Sequence, residues 1–172
     1  TGVASPAYWG VTEPVEGWLR WLSSCCYVGV RGPRSEATLR EWGYAGHLEI
    51  SGDPALLLER PADVSRLEGL VVVSPAWTNG ELWGGSDDAV MAVLARSVER
   101  WLDEGRDVTF LSCNPADDRP IFEMMRAAGR PDLPYTAGYR DMDAALHLLG
   151  EADLVVGERL HAAVLAASVG TP

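Results

Sequence analysis

Residues 152–170, ADLVVGERLHAAVLAASVG, constrain the fold most, because they run from a buried strand directly into a helix and set two ionic side chains at the junction. Leu154, Val155 and Val156 form the short apolar run of a central parallel strand. Gly157 marks the turn, and the small residues of 162–167 suit a closely packed helix. Arg159 and His161 are thereby predicted in the first helical turn, where free N–H groups and the positive dipole end favour an anion. Ligands of open α/β sheets bind at that end of the strands.

The pattern repeats upstream. Residues 13–23 predict a helix with Pro14 in its first turn and an apolar face of Val15, Trp18, Leu19 and Leu22. A strand over 26–30 is followed by the turn RGPRS, with Ser35 as N-cap of a helix that Gly43 closes. HLEI at 47–50 reads as a second strand, broken by Ser51-Gly52-Asp53-Pro54. After a loop at 61–68, LVVVS at 70–74 is the clearest buried strand. The long loop after it carries Trp77 and Trp83, which can stack on a sugar or cover the core. An amphipathic helix over 89–104 presents Val90, Leu94, Val98, Trp101 and Leu102, with Gly105 after its end. VTFL at 108–111 is the next strand, and IFEMMRAA the next helix, ended by Gly129. A polar connection through 135–139 leads to a short helix that Asp141 caps, holding Met142, Leu146 and Leu149. Strands near 26, 47, 70, 108 and 154 with intervening helices predict an α/β, Rossmann-like, mainly parallel sheet with helices on both faces.

Charge narrows the range of partners. With 25 acidic and 14 basic residues in 172, the formal charge of −11 argues against nucleic acid and against an anionic membrane surface, so an anion site must be local. Three cysteines, Cys25, Cys26 and Cys113, lack metal-ligand spacing and fit a reducing, cytoplasmic setting. No stretch approaches the roughly 20 apolar residues of a membrane span. The abrupt ends, Thr1-Gly2-Val3-Ala4 and Gly170-Thr171-Pro172, lead us to expect a fragment of a longer protein.

Glycine-rich dinucleotide, P-loop, HExxH, paired CxxC and GxSxG motifs are absent from the sequence. What remains is polar residues at strand ends: Arg31, Arg34 and Ser35; Asp53; Asn114, Asp117 and Asp118; Arg159 and His161. Arg159 can pair structurally with Glu158 or Glu151, but a cation at a helix N-terminus opposes the dipole, which argues for an anionic partner. A lone histidine is commonly structural, yet His161, two residues from an anion clamp, suits proton transfer. Arg31 and Arg34 can fork onto phosphate or carboxylate, or serve as solvated charge. Asp117 and Asp118 read as helix N-caps, Asp53 as a turn former, and His47 and His147 as structural.

The segment ADLVVGERLHAAVLAASVGTP resembles the C-terminal signature of the polysaccharide pyruvyl transferases. Three other segments resemble that family in order: VGVRGPRSEATLREWG its strand–Arg-x-x-x-Ser–helix, GDPALLL its Asp-Pro-Ala turn, and SCNPADDRPIFEMM its acidic residue before a helix. Gly32 stands where the family's first motif carries an acidic residue. The resemblance implies the C-terminal half of a two-lobed GT-B fold, with 1–25 the remnant of an inter-lobe connection and its helix, and 26–172 a lobe incomplete at its C-terminal end.

It also implies an activity for the full-length parent: transfer of a pyruvyl ketal from phosphoenolpyruvate to two hydroxyls of a glycan or lipid-linked saccharide. That chemistry belongs to cell-surface or exopolysaccharide synthesis, in the cytoplasm or peripheral at the inner face of the membrane. By the same resemblance His161 and Arg159 are the catalytic pair and Arg31 is the arginine of the earlier motif; Arg31, Arg34, Ser35 and Asp118 are expected to bind substrate, and neither a metal nor a cofactor beyond the phosphoenolpyruvate donor is expected. The catalytic base would come from the missing first lobe, so the fragment alone is expected to be inactive. The rival readings are a nucleotide-sugar glycosyltransferase lobe of GT-B type and a noncatalytic relative.

Overall fold

Short apolar runs followed by turn residues become parallel strands in the computed structural model, which describes residues 15–78 and 86–172. Pro14 and Trp83, singled out above, lie outside the described residues. The chain divides between Leu56 and Leu57 into two compact units.

The first unit contains α1 (Glu16–Ser23), β1 (Gly29–Val30), α2 (Pro33–Glu41) and β2 (Glu49–Ile50), and a 3-10 turn over Pro54–Leu57 runs across the division. β1 and β2 pair in parallel, Gly29 opposite Glu49 and Val30 opposite Ile50, so α2 is the crossover of a small βαβ unit. Its core is Val28, Val30, Leu39, Tyr44 and Leu48, with Leu19 and Leu22 of α1 packed against them. The helix starts earlier than expected. Gly32, with extended backbone, is the N-cap and Pro33 opens the first turn, so Ser35 is a buried residue inside the helix rather than its cap.

The second unit contains β3 (Leu70–Ser74), α3 (Asp87–Asp103), β4 (Asp107–Ser112), α4 (Pro115–Ala127), β5 (Tyr135–Ala137), α5 (Met142–Glu151), β6 (Leu154–Gly157) and α6 (Leu160–Ser168). Its four strands lie in the order β5-β4-β3-β6, every pair parallel. Val71, Val73 and Phe110 face a core with Leu94, Val98 and Trp101 of α3 and Ile121, Met124 and Met125 of α4. The pleat sends Val72 and Leu111 to the opposite face, where α5 and α6 pack. Burying side chains such as Phe110, Ile121 and Leu149, each 0% exposed, contributes about 1.5–3 kcal/mol apiece, which makes this sheet the unit's anchor.

The expectation of one mixed-α/β, mainly parallel sheet divides into two sheets, because β1 and β2 form a ladder of their own. β2 is two residues long with both exposed, too short and too wet to accept a further strand. A strand was also missed: 135–137, read as connection, is the edge strand β5, whose three residues are only half-buried and whose pattern is therefore weak. Three helix ends, by contrast, fall where glycines predicted them. Gly43, Gly105 and Gly129 have φ of 94°, 79° and 67°, and the next residue's amide bonds back to Leu39, Trp101 and Met125 respectively. No helix among the described residues is long and apolar enough to cross a membrane.

Candidate active site

The strand order of the second unit creates a place for a ligand. The chain steps from β3 to β4 to β5 in one direction, then α5 carries it back to β6 on the far side of β3. The strand order therefore reverses between β3 and β6, a topological switch point outside whose carboxyl ends open α/β sheets bind their ligands. Ser74 pairs with Gly157 in the last rung, and the Glu158 amide extends the ladder by donating to the Ser74 carbonyl at 2.9 Å.

Arg159 follows immediately. It is the N-cap of α6, with extended backbone, rather than a residue of the first turn. Its Nη2 and Nε donate to Asp117 Oδ1 and Oδ2 at 2.6 and 2.9 Å, and Nη2 also donates to the Trp77 carbonyl at 3.1 Å. Asp117, whose side chain is 0% exposed, also accepts from the Trp77 amide at 2.8 Å. One buried carboxylate thus ties the β3 loop, the start of α4 and the β6–α6 junction together. The Asp117 hydrogen bonds raise the Arg159 pKa, outweighing partial burial, so the guanidinium stays a cation. Asp117 was read above as an N-cap, but Asn114 fills that role, its side chain accepting from the Ala116 amide at 2.9 Å. The pairing of Arg159 with a residue 42 positions away replaces the local pairing with Glu158 or Glu151.

His161 lies in the first turn of α6 and is exposed. Glu158, between strand and helix, was not singled out from the sequence. Its Oε2 accepts from the Ala76 amide at 3.0 Å, and burial pushes its carboxyl above the ordinary carboxylate value, helped by the nearby charges of Asp87 and Asp117. Cys113 Sγ lies 3.6 Å from Ser74 Oγ, and burial likewise raises its thiol pKa.

Asp118 has a different surrounding. It too is not the helix cap: its Oδ1 lies 2.6 Å from Ser112 Oγ and 2.7 Å from the Tyr135 hydroxyl, and Oδ2 is 2.7 Å from the Tyr139 hydroxyl. Burial alone would raise its pKa, but these three donors, with Arg140 nearby, hold it below the usual carboxylate range. Tyr135 is pushed up in turn, by burial and then by the carboxylate. The two tyrosines could have been suspected from their spacing of four, but only β5 pairing with β4 brings them over α4.

The remaining expected residues belong to the first unit. Arg31 Nη1 meets Asp53 Oδ2 at 3.4 Å, joining the ends of β1 and β2. Asp53 also serves the turn expected of it, Oδ1 accepting from the Ala55 amide at 3.1 Å. Arg34 is exposed on the first turn of α2, and Ser35 is buried beside it. Trp77 lines a groove of about 230 Å³ between α3 and α4 with Met91, Pro120 and Met124.

A family model for polysaccharide pyruvyl transferases matches residues 13–172. The chain belongs to that family. No curated protein and no solved structure matches it significantly. Within the residues matched to the polysaccharide pyruvyl transferases, Arg159-Leu160-His161 stand at the β6–α6 junction.

Proposed function

We propose that this chain is the donor-binding lobe of an enzyme that transfers a pyruvyl ketal from phosphoenolpyruvate to two hydroxyls of a glycan or lipid-linked saccharide. The observation that carries the reading is Arg159 and His161 at the start of α6, beside the β3/β6 switch point, in a chain matched to the pyruvyl transferase family over 13–172. Residues 26–172 are proposed as the C-terminal lobe of a GT-B arrangement, acting on the cytoplasmic side where phosphoenolpyruvate is at hand. A first lobe would supply the base and much of the acceptor site.

The residue types suit the chemistry. A phosphoenol ether reacts by protonation at its methylene carbon, for which His161 is the proposed acid. The cationic carbon so formed is attacked by one sugar hydroxyl; phosphate leaves, and the second hydroxyl closes the ketal. Of the two hydroxyl protons, one replaces the proton delivered to the new methyl group and the other accompanies the departing phosphate. Arg159 is proposed to hold phosphate or carboxylate and to stabilise charge on the leaving group. Asp118 is a further proposed substrate contact of the second unit, and Arg31, Arg34 and Ser35 are proposed substrate-binding residues of the first.

The test is donor choice in the full-length protein. Phosphoenolpyruvate should bind and react while nucleotide sugars do not; binding of nucleotide sugars alone overturns the reading. His161→Ala should abolish pyruvyl transfer and leave the melting temperature nearly unchanged, since the side chain is exposed. Undiminished turnover in that variant removes His161 from the mechanism.

A further inference from the structure

Arg159 is a guanidinium with most of its donors already committed. The Nε hydrogen and both Nη2 hydrogens go to Asp117 and the Trp77 carbonyl. Nη1 makes no hydrogen bond among the described residues, and no side-chain nitrogen or oxygen there is both buried and unpaired, so Nη1 reaches solvent. The partner that holds this orientation is unusual in being wholly enclosed: Asp117 is 0% exposed and is itself fixed by the Trp77 amide.

We infer that Asp117 is a positioning residue, which clamps one edge of Arg159 so that the two N–H groups of Nη1 meet an oxyanion of the donor at the β3/β6 switch point. The inference rests on the proposed reaction for the identity of that oxyanion, the enol phosphate or its carboxylate. Two physical effects of Asp117 oppose each other. Its charge cancels much of the cation's attraction for an anion, whereas its geometry removes the rotamer freedom a long arginine would otherwise lose on binding. If neutralisation dominated, removing the charge would tighten anion binding; if positioning dominates, the same change weakens it.

Binding of phosphoenolpyruvate and of inorganic phosphate is measured by calorimetry on the full chain, as wild type, Asp117→Asn, Arg159→Lys and the double variant. Asp117→Asn should weaken both ligands by roughly tenfold to a hundredfold, the worth of one charge-assisted hydrogen bond. Because Asp117 acts through Arg159, the double variant should bind no worse than Arg159→Lys. Unchanged or tighter binding in Asp117→Asn, or losses that add in the double variant, overturns the inference. Should Asp117→Asn fail to fold, Asp117→Glu carries the comparison: it keeps the charge but displaces the guanidinium, so binding must still weaken. A wild type that binds phosphate but not phosphoenolpyruvate overturns the proposed donor while leaving the phosphate comparison to judge Asp117. Binding of neither ligand overturns both.

Discussion

Glu158 and Asp118 are carboxyls at the same sheet edge whose surroundings push them in opposite directions. Asp118 collects three hydroxyl donors and stays ionised, whereas Glu158 has one amide donor and two like charges near it. The sign for Glu158 follows from linkage. Its folded pKa lies above the ordinary 4.5, so the stability it contributes is fully present below pH 4.5 and is lost as pH rises through the folded value. Glu158→Gln keeps an oxygen for the Ala76 amide and removes the charge. It should therefore melt higher than wild type at pH 7, with the gap closing below about pH 4.5. A melting series across pH 3–8 checks this, and a gap that widens in acid contradicts it.

Only two residues, Glu158 and Arg159, separate β6 from α6, a tight junction that Gly157 permits because it has no side chain. A Cβ there would stand 2.9 Å from the Ala162 Cβ and 3.8 Å from the Ser74 Cβ, against a neighbouring helix and strand that cannot swing away. Gly157→Ala is accordingly an overpacking substitution and should cost about 1–3 kcal/mol in denaturant unfolding. It should also disturb Arg159, two residues on, so anion binding is expected to fall with stability. A loss of stability under a few tenths would show that the junction yields. At the other end of the site, Asn114 caps α4 and thereby releases Asp117 and Asp118 for distant partners. β5 shows the same dependence: its Tyr135 reaches back to Asp118, tying an otherwise exposed edge strand to the helix before it.

Across the whole molecule, stability concentrates in the four-stranded sheet. Val71–Val73 and Phe110 are 0% exposed, while both residues of β2 are open to solvent. Native-state hydrogen exchange should be slowest at the β3 and β4 amides and markedly faster in the β1–β2 ladder; equal protection would contradict this distribution. At a net charge of −11 the molecule as a whole repels an anionic donor, so any affinity has to be built from a few placed arginines. By itself the amino-acid order determined what is local and periodic: the buried runs 70–74 and 154–156, the amphipathic third helix, the glycine stops, and Arg159 and His161 at a strand-to-helix junction. These need only near neighbours, and their patterns repeat every two or every 3.6 residues. Tertiary structure alone decided that β1 and β2 stand as their own ladder, that 135–137 is a strand, and that Asp117 and Asp118 bind Arg159 and two tyrosines rather than capping α4. Those outcomes join residues 17 to 42 positions apart, and only the finished sheet brings such distant side chains within hydrogen-bond reach.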